Sequence, residues 1–168
     1  ATEIRFQVEQ AIEEADAIVL MMDGKEGLSP FDRDLVNMLR GIQKPVFYGV
    51  NKIDGMEKEA SMYEFYQLGV DHLYPLSAEH RYGVHDLLDD LVQAIPVYPS
   101  AESFPMTRLA VVGRPNVGKS SLINRMVGEN RLVVSNAPGT TRDAVDITCR
   151  VNGNEYVLVD TAGIRRKG

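Results

Sequence analysis

The stretch Gly113-Arg114-Pro115-Asn116-Val117-Gly118-Lys119-Ser120 decides the fold of this chain. The apolar run from Leu109 to Val112 precedes it, and residues with helical spacing follow it: Leu122, Ile123 and Met126. A strand, a glycine-rich turn and a helix start therefore come in the order that a phosphate-binding loop requires. The backbone N–H groups of such a turn point inward, and the helix start adds the positive end of its dipole. We therefore expect a site for a polyphosphate.

Two side chains of this stretch would carry the phosphate chemistry. Lys119 would reach the β and γ phosphates, and the Ser120 hydroxyl would hold Mg²⁺. The alternative, a glycine turn followed by Lys-Ser by chance, requires three fixed residue types to coincide with the flanking strand and helix. The nucleotide contacts predicted in this loop are Gly113, Arg114, Pro115, Asn116, Val117, Gly118, Lys119, Ser120 and Ser121.

The composition is typical of a globular domain. The chain has 168 residues, of which 44% are hydrophobic and 25% are charged, and this length is enough to bury a sizeable core. No apolar run approaches the ~20 residues of a membrane-spanning helix. The single cysteine, Cys149, fits a reducing compartment. We therefore expect a cytoplasmic protein.

The net charge of −6 is unevenly distributed. Residues 1–96 carry 18 acidic and 8 basic side chains, a net charge of −10, whereas residues 97–168 carry 6 and 10, a net charge of +4. A basic second part suits phosphate chemistry, but +4 is too small to indicate nucleic-acid binding by itself.

The hydrophobic pattern alternates between helix and strand along the chain. Helices are predicted at 3–15, 29–40, 58–68, 84–95 and 119–126, and strands at 17–22, 45–50, 73–76, 108–112, 145–151 and 155–159. Residues 96–107 contain three prolines and no periodicity, which indicates a linker. Asn152-Gly153 predicts a hairpin between the last two strands. We therefore predict an α/β fold: a doubly wound, mostly parallel six-stranded sheet with one antiparallel edge.

Asn51-Lys52-Ile53-Asp54 follows a buried strand and has the character of a guanine selector. One carboxylate, that of Asp54, can accept from both N1–H and the N2 amino group of guanine, whereas adenine offers neither donor there. The Lys52 stem can lie along the base while its ammonium stays in water, and Asn51 can tie the loop to the base or to the phosphate loop. These four residues are weak evidence alone and become strong beside a phosphate loop.

Two further strand ends complete the predicted site. Ser77-Ala78 suits a backbone donor, the Ala78 N–H, to guanine O6. In Asp160-Thr161-Ala162-Gly163, Asp160 would hold Mg²⁺ through water and the Gly163 N–H would contact the γ-phosphate. Thr141 is our choice for the switch threonine that completes the Mg²⁺ shell, and Thr140 is the competitor.

These motifs resemble the Der (EngA) family of tandem-domain GTPases. Residues 113–121, Pro138 to Asp143 and Asp160 to Gly168 are similar to the start of the second GTPase domain. Residues 1–95, with the guanine selector and Ser77-Ala78-Glu79, resemble the end of the first domain. The resemblance covers the whole chain, with residues 96–107 as the link.

The resemblance implies that the chain is a central Der fragment. It lacks the first domain's phosphate loop, the second domain's selector and the C-terminal RNA-binding-like domain. What remains holds one of each motif in a circularly permuted order. This order also resembles the circularly permuted GTPases of ribosome assembly, which are the alternative, but the runs Gly139 to Asp143 and Ile164 to Gly168 favour Der. We expect residues 1–168 to form one permuted GTPase domain, with Ala1 and Gly168 close together at a break in the second switch.

The resemblance also bears on catalysis. Ile164, among the expected nucleotide contacts, stands where many GTPases carry a water-orienting glutamine. Asn116 would help bind potassium, which can replace an arginine finger in relatives of Der; the alternative is an asparagine that only closes its turn. The expected ligands are GTP or GDP, Mg²⁺ and K⁺, and the expected catalytic residues are Lys119, Thr141, Gly163 and Asn116.

Three functions remain open at this point. The first is a GTP-hydrolysing switch that acts on the large ribosomal subunit or its rRNA, a partner implied only by the family. The second is a nucleotide-binding fragment with little turnover. The third is an ATPase, which conflicts with Asp54.

Overall fold

The computed structural model describes residues 2–95, 107–128, 147–151 and 154–159. The helices are α1 (Thr2–Glu14), α2 (Pro30–Leu39), α3 (Val84–Ala94) and α4 (Lys119–Gly128). The strands are β1 (Ala17–Asp23), β2 (Val46–Asn51), β3 (Tyr74–Pro75), β4 (Thr107–Val112), β5 (Ile147–Val151) and β6 (Asn154–Val159). Two 3₁₀ segments, Met56–Met62 and Phe65–Leu68, lie between β2 and β3.

The strands form a six-stranded sheet in the order β3-β2-β1-β4-β6-β5. The first five strands of this order run parallel, and β5 pairs antiparallel with β6 at the edge. The predicted mostly parallel sheet with one antiparallel edge is therefore confirmed. Because β1 pairs with β4, strands from both parts of the chain meet at the centre of the sheet.

Helices cover both faces of the sheet, as expected for a doubly wound fold. Every residue of β1 is buried, and its alternate side chains enter two separate apolar clusters. Met21 packs in the cluster that holds the apolar faces of α3 and α4. Leu20 packs in the cluster that holds α1, α2 and the 3₁₀ segments. The continuous apolar run at 17–22 reflects this two-sided burial.

Helix α2 begins at Pro30, and Ser29 is its N-cap. The Ser29 hydroxyl accepts from the Asp32 N–H (3.2 Å), and the Asp32 carboxylate accepts from the Ser29 N–H (2.9 Å). Pro30 occupies the first helical turn, where its missing N–H costs nothing. This reciprocal capping box fixes the start of α2 at the end of the loop that follows β1.

The α-helix predicted at 58–68 is wrong. Two 3₁₀ segments take its place, and Gly69 ends the second in the left-handed region. The buried residues Met62, Phe65 and Leu68 recur every three positions. Met62 ends the first segment, and Phe65 and Leu68 begin and end the second, where three residues per turn place those two side chains on one face. The described helices therefore comprise four α-helices rather than five.

Of the three aromatic residues in this region, two face solvent. Phe65 is fully buried, whereas Tyr63 and Tyr66 are 74% and 59% exposed. The same spacing accounts for the difference, because these two tyrosines are out of step with the buried series.

Several sequence-based predictions lie outside the described residues. They concern the linker at 96–106, the hairpin turn Asn152-Gly153, and the ends Ala1 and Gly168. Thr107, which the sequence assigned to the linker, is the first residue of β4. Within the described ranges, none of the helices has the length and apolar character that crossing a membrane requires.

Candidate nucleotide-binding site

The phosphate loop joins the end of β4 to the start of α4. Gly113 and Gly118 have φ angles of +147° and +102°, and Asn116 has a φ of +63°. A side chain at Gly113 would lie 2.3 Å from the Met21 carbonyl oxygen of the neighbouring β1. The loop therefore needs glycine at this position for its path, independently of any ligand.

Lys119 lies over this loop. Its Nζ donates to the carbonyl oxygens of Gly113 and Arg114, both at 2.9 Å. The ammonium group is thereby held beside the backbone that curls around the start of α4. Ser120 follows in the first turn of α4 and is exposed. A phosphate at this helix start would meet N–H groups, the helix dipole and a lysine together.

Asn51 joins three of the predicted motifs. It ends β2, is 4% exposed, and its Nδ2 donates to the Val117 carbonyl oxygen of the phosphate loop (2.7 Å). Its Oδ1 accepts from the Ala78 N–H (3.0 Å). Of the two roles left open for Asn51, the structure shows the tie to the phosphate loop. The Ala78 N–H, predicted to bind guanine O6, donates to Asn51 here.

Asp54 is held at the mouth of the site with two hydrogen bonds. Its Oδ2 accepts from Lys58 Nζ (2.7 Å) and its Oδ1 from the Ser77 hydroxyl (3.0 Å). The Lys58 contact first, and then Ser77, lower the pKa of Asp54 below its usual value. A carboxylate has about four lone-pair positions, so two remain for further donors. Asp54 is therefore an ionised, partly satisfied acceptor.

Arg125 connects α4 to the loop that carries Ser77-Ala78. Its Nε donates to the Ala78 carbonyl (3.0 Å) and its Nη2 to the Glu79 carbonyl (2.6 Å). A cleft of about 490 Å³ lies beside this contact, lined by Ala78, Glu79, Ser121, Asn124 and Arg125. Predicted nucleotide contacts from the two parts of the chain, Ala78 and Ser121, thus line one cleft.

Comparison with known proteins shows that this chain is similar to GTPase Der proteins over nearly its whole length. GTPase Der from Geobacter sp. strain M21 is 55% identical over 167 residues, covering 99% of this chain. GTPase Der from Syntrophotalea carbinolica is also 55% identical, over 168 residues, and that from Desulforapulum autotrophicum is 51% identical over 181. This chain is a homologue of the Der GTPases. It spans 38% of the length of the Geobacter and Syntrophotalea proteins and 37% of the Desulforapulum protein.

Two further comparisons agree with the homology to Der. Residues 108–168 match the model of the family described as MMR_HSR1, 50S ribosome-binding GTPase. The crystal structure of YjeQ from Thermotoga maritima superimposes with a TM-score of 0.55 at 16% identity, covering 86% of this chain and 47% of that one. At that identity, the superposition supports a shared fold only.

Arg114 makes contacts that the sequence did not predict. Its guanidinium reaches the loop after β1, with Nη2 donating to the Gly27 carbonyl (2.8 Å) and Nη1 lying 3.2 Å from Glu26 Oε2. Its Nε lies 3.6 Å from Asp32 Oδ2 at the start of α2. Arg114 thus fastens the phosphate loop to the other part of the chain. Its position in the phosphate loop suggested a contact between its backbone and a phosphate, and it gave no indication of what the side chain would contact.

Asp23 is the second residue that the sequence analysis missed. It ends β1, is 1% exposed, and pairs with the ammonium of Lys52 in the selector. Burial raises the pKa of Asp23, but the bonds from Lys52 and from two backbone N–H groups outweigh burial and leave it lowered. The signal in the sequence was an acidic residue directly after a buried strand, because the following strand ends at the selector.

Seven of the predicted site residues lie outside the described part of the chain. They are Thr140, Thr141, Asp160, Thr161, Ala162, Gly163 and Ile164. Their roles therefore stay predictions. Asn116, which is described, adopts a left-handed conformation that asparagine tolerates better than most residues. The turn alone can therefore account for its residue type.

Proposed function

We propose that the described selector and phosphate loop form one guanine-nucleotide site, and that the chain hydrolyses GTP as part of a ribosome-assembly switch. The observation that carries the proposal is the Asn51 side chain, which bonds to both the phosphate loop and the Ser77-Ala78 loop. A single nucleotide could then contact all three motifs. Residues 1–95 and 108–168 would serve as one domain of permuted motif order, in the cytoplasm.

The charge and geometry of the site fit a nucleoside diphosphate or triphosphate. Asp54 is ionised and keeps acceptor capacity for the guanine N1–H and N2 amino group. Lys119 is the first residue of α4, and its ammonium is bonded to the phosphate loop. The lysine and the N-terminus of the helix are thus both available to the phosphates. The Ala78 N–H donates to Asn51 Oδ1. To bind guanine O6, it would either share its hydrogen between the two oxygens or give up the bond to Asn51.

Mg²⁺ fits the oxygen donors predicted here. The exposed Ser120 in the first turn of α4 can offer its hydroxyl, and Thr141 and Asp160 are the other proposed ligands. When bound, the ion would neutralise phosphate charge during transfer to water. Lys119 would stabilise the same charge, and the Gly163 N–H would contact the γ-phosphate.

The proposed partner is the large ribosomal subunit or its rRNA. The homology to Der proteins and the match of residues 108–168 to a family described as ribosome-binding support it. The chain covers 38% of the length of the Geobacter protein. We therefore propose the ribosomal partner for the full-length Der proteins, and for this chain only as a part of such a protein.

A change of base preference tests the nucleotide site. We expect Asp54→Asn to weaken GDP binding about 100-fold or more, because the amide no longer accepts from both guanine donors. Xanthosine diphosphate carries an oxygen in place of the N2 amino group, which an amide can bind, so this variant should prefer it. Titration calorimetry with both nucleotides measures the preference.

The matched control is Asp34→Asn, an exposed carboxylate on α2. It should bind GDP as the unchanged protein does. Equal GDP affinity in Asp54→Asn, or tight binding of ADP by the unchanged protein, would overturn the proposal.

Single-turnover hydrolysis separates a GTPase from a nucleotide-binding fragment. We expect phosphate release from GTP that is faster in K⁺ than in Na⁺ if Asn116 helps to hold the cation. Asn116→Gly keeps the left-handed turn without the amide, so it should release phosphate equally slowly in both salts. Binding without phosphate release would support the fragment with little turnover. A K⁺ effect that survives in Asn116→Gly would exclude the ion role.

A further inference from the structure

We propose that Asp23 is a positioning residue of the nucleotide site, which holds the Lys52 side chain against the purine. This inference rests on the proposed function. It adds a residue outside the predicted motifs and a reason for its acidic side chain.

The two carboxylate oxygens of Asp23 have separate tasks. Oδ1 accepts from the N–H groups of Lys25 (2.9 Å) and Glu26 (3.0 Å), which closes the turn after β1. Oδ2 accepts from Lys52 Nζ. The turn therefore orients the carboxylate, and the oriented carboxylate fixes the end of the lysine.

The backbone places the two residues side by side. Asp23 is in register with Asn51, the residue before Lys52, on the adjacent parallel strands β1 and β2. The Gly24 N–H continues this pairing by donating to the Asn51 carbonyl (2.8 Å). Lys52 itself has a φ of +69°, unusual for a residue with a side chain. This conformation and the bond to Asp23 together determine where the lysine stem runs.

The burial of the pair differs sharply between its members. The Asp23 side chain is 1% exposed and that of Lys52 is 36% exposed. The ammonium, which the sequence placed in water, is thus paired with a buried carboxylate, whereas about a third of the Lys52 side chain stays exposed and accessible to a ligand. Asp54 and Lys52 follow the same strand, so a stem held in place would lie beside the base that Asp54 selects.

The test uses Asp23→Asn, Lys52→Met and the double variant, with GDP as the ligand in titration calorimetry. The amide introduced by Asp23→Asn can keep both turn bonds through its own Oδ1 and loses only the acceptor that faces Lys52. The Lys52→Met variant keeps an apolar stem and loses the ammonium. We expect each single variant to weaken GDP binding about tenfold, the scale of one charge-assisted hydrogen bond.

The double variant decides between positioning and a general structural role. If Asp23 acts through Lys52, the double variant binds GDP as each single variant does, and Asp23→Asn adds nothing in the Lys52→Met background. Additive losses, or unchanged GDP binding in Asp23→Asn, would overturn the inference while leaving the proposed function intact. Failure of the unchanged protein to bind GDP would overturn both.

Discussion

At the residue scale, the closest fit in the site is between Gly118 and Asn51. A Cβ at position 118 would lie 2.1 Å from Asn51 Nδ2, and its φ of +102° disfavours any side chain. The absence of a side chain therefore lets Asn51 reach the Val117 carbonyl. This glycine serves the joint between two motifs as well as the path of the loop.

We expect Gly118→Ala to lower the free energy of unfolding by about 2 to 4 kcal/mol, through backbone strain and loss of the buried Asn51 bond. GDP binding should fall with it. Urea unfolding followed by circular dichroism measures the first effect. Gly41→Ala is the control, because nothing lies within 4 Å of the added carbon. A stability change in Gly118→Ala as small as in the control would contradict this account.

Asp23 also predicts how stability depends on pH. Its pKa in the folded protein lies below the reference value of 3.8. Its contribution to stability is therefore present above the unfolded-state pKa and is lost as pH falls through the folded-state pKa. The stability difference between the unchanged protein and Asp23→Asn should shrink as the pH is lowered below 3.8. A difference that stays constant over that range would exclude this ionisation as its source.

At the scale of an element, the segment between β2 and β3 was predicted as one α-helix and forms two 3₁₀ segments. Apolar residues three apart occur in α-helices too, where four-residue steps alternate with them. Here the buried series Met62, Phe65, Leu68 has no four-residue step. The sequence correctly indicated helical structure here, and Gly69 in the left-handed region ends it. Tyr63 and Glu64 separate the two 3₁₀ segments, so no continuous helix runs from 58 to 68.

We expect Phe65→Ala to cost about 3 to 5 kcal/mol of unfolding free energy, because Phe65 is fully buried. Tyr66→Ala, at the next position and 59% exposed, should change it by no more than about 0.5 kcal/mol. Parallel urea titrations of both variants make the comparison. Equal effects would mean that the segment does not pack as described.

At the scale of the whole molecule, the sheet joins the two parts of the chain. β1 lies between β2 from its own part and β4 from the other, with parallel pairing on both sides. Both apolar clusters also contain residues of both parts. Such shared cores predict that the two parts unfold together.

We therefore expect a single calorimetric unfolding transition. Core substitutions in either part of the chain should lower its midpoint temperature. Ile18→Val in β1 should cost about 0.5 to 1.5 kcal/mol and Leu109→Ala in β4 about 2 to 5 kcal/mol, since both side chains are fully buried. Each should shift the whole transition. Two transitions, of which each variant shifts only one, would contradict a single cooperative domain.

The sequence by itself determined the order of the strands and the doubly wound sheet, and it predicted the phosphate loop and the selector. These follow from local signals: apolar periodicity, glycine positions and residues at strand ends. Only the tertiary structure decided which side chains join the motifs: Asn51 to Val117, Arg114 to Gly27, and Asp23 to Lys52. The physical reason is that these partners lie on different strands and loops, so their distances depend on how β1, β2 and β4 align in the sheet. The phosphate loop is thus held in place by residues far from it in the chain.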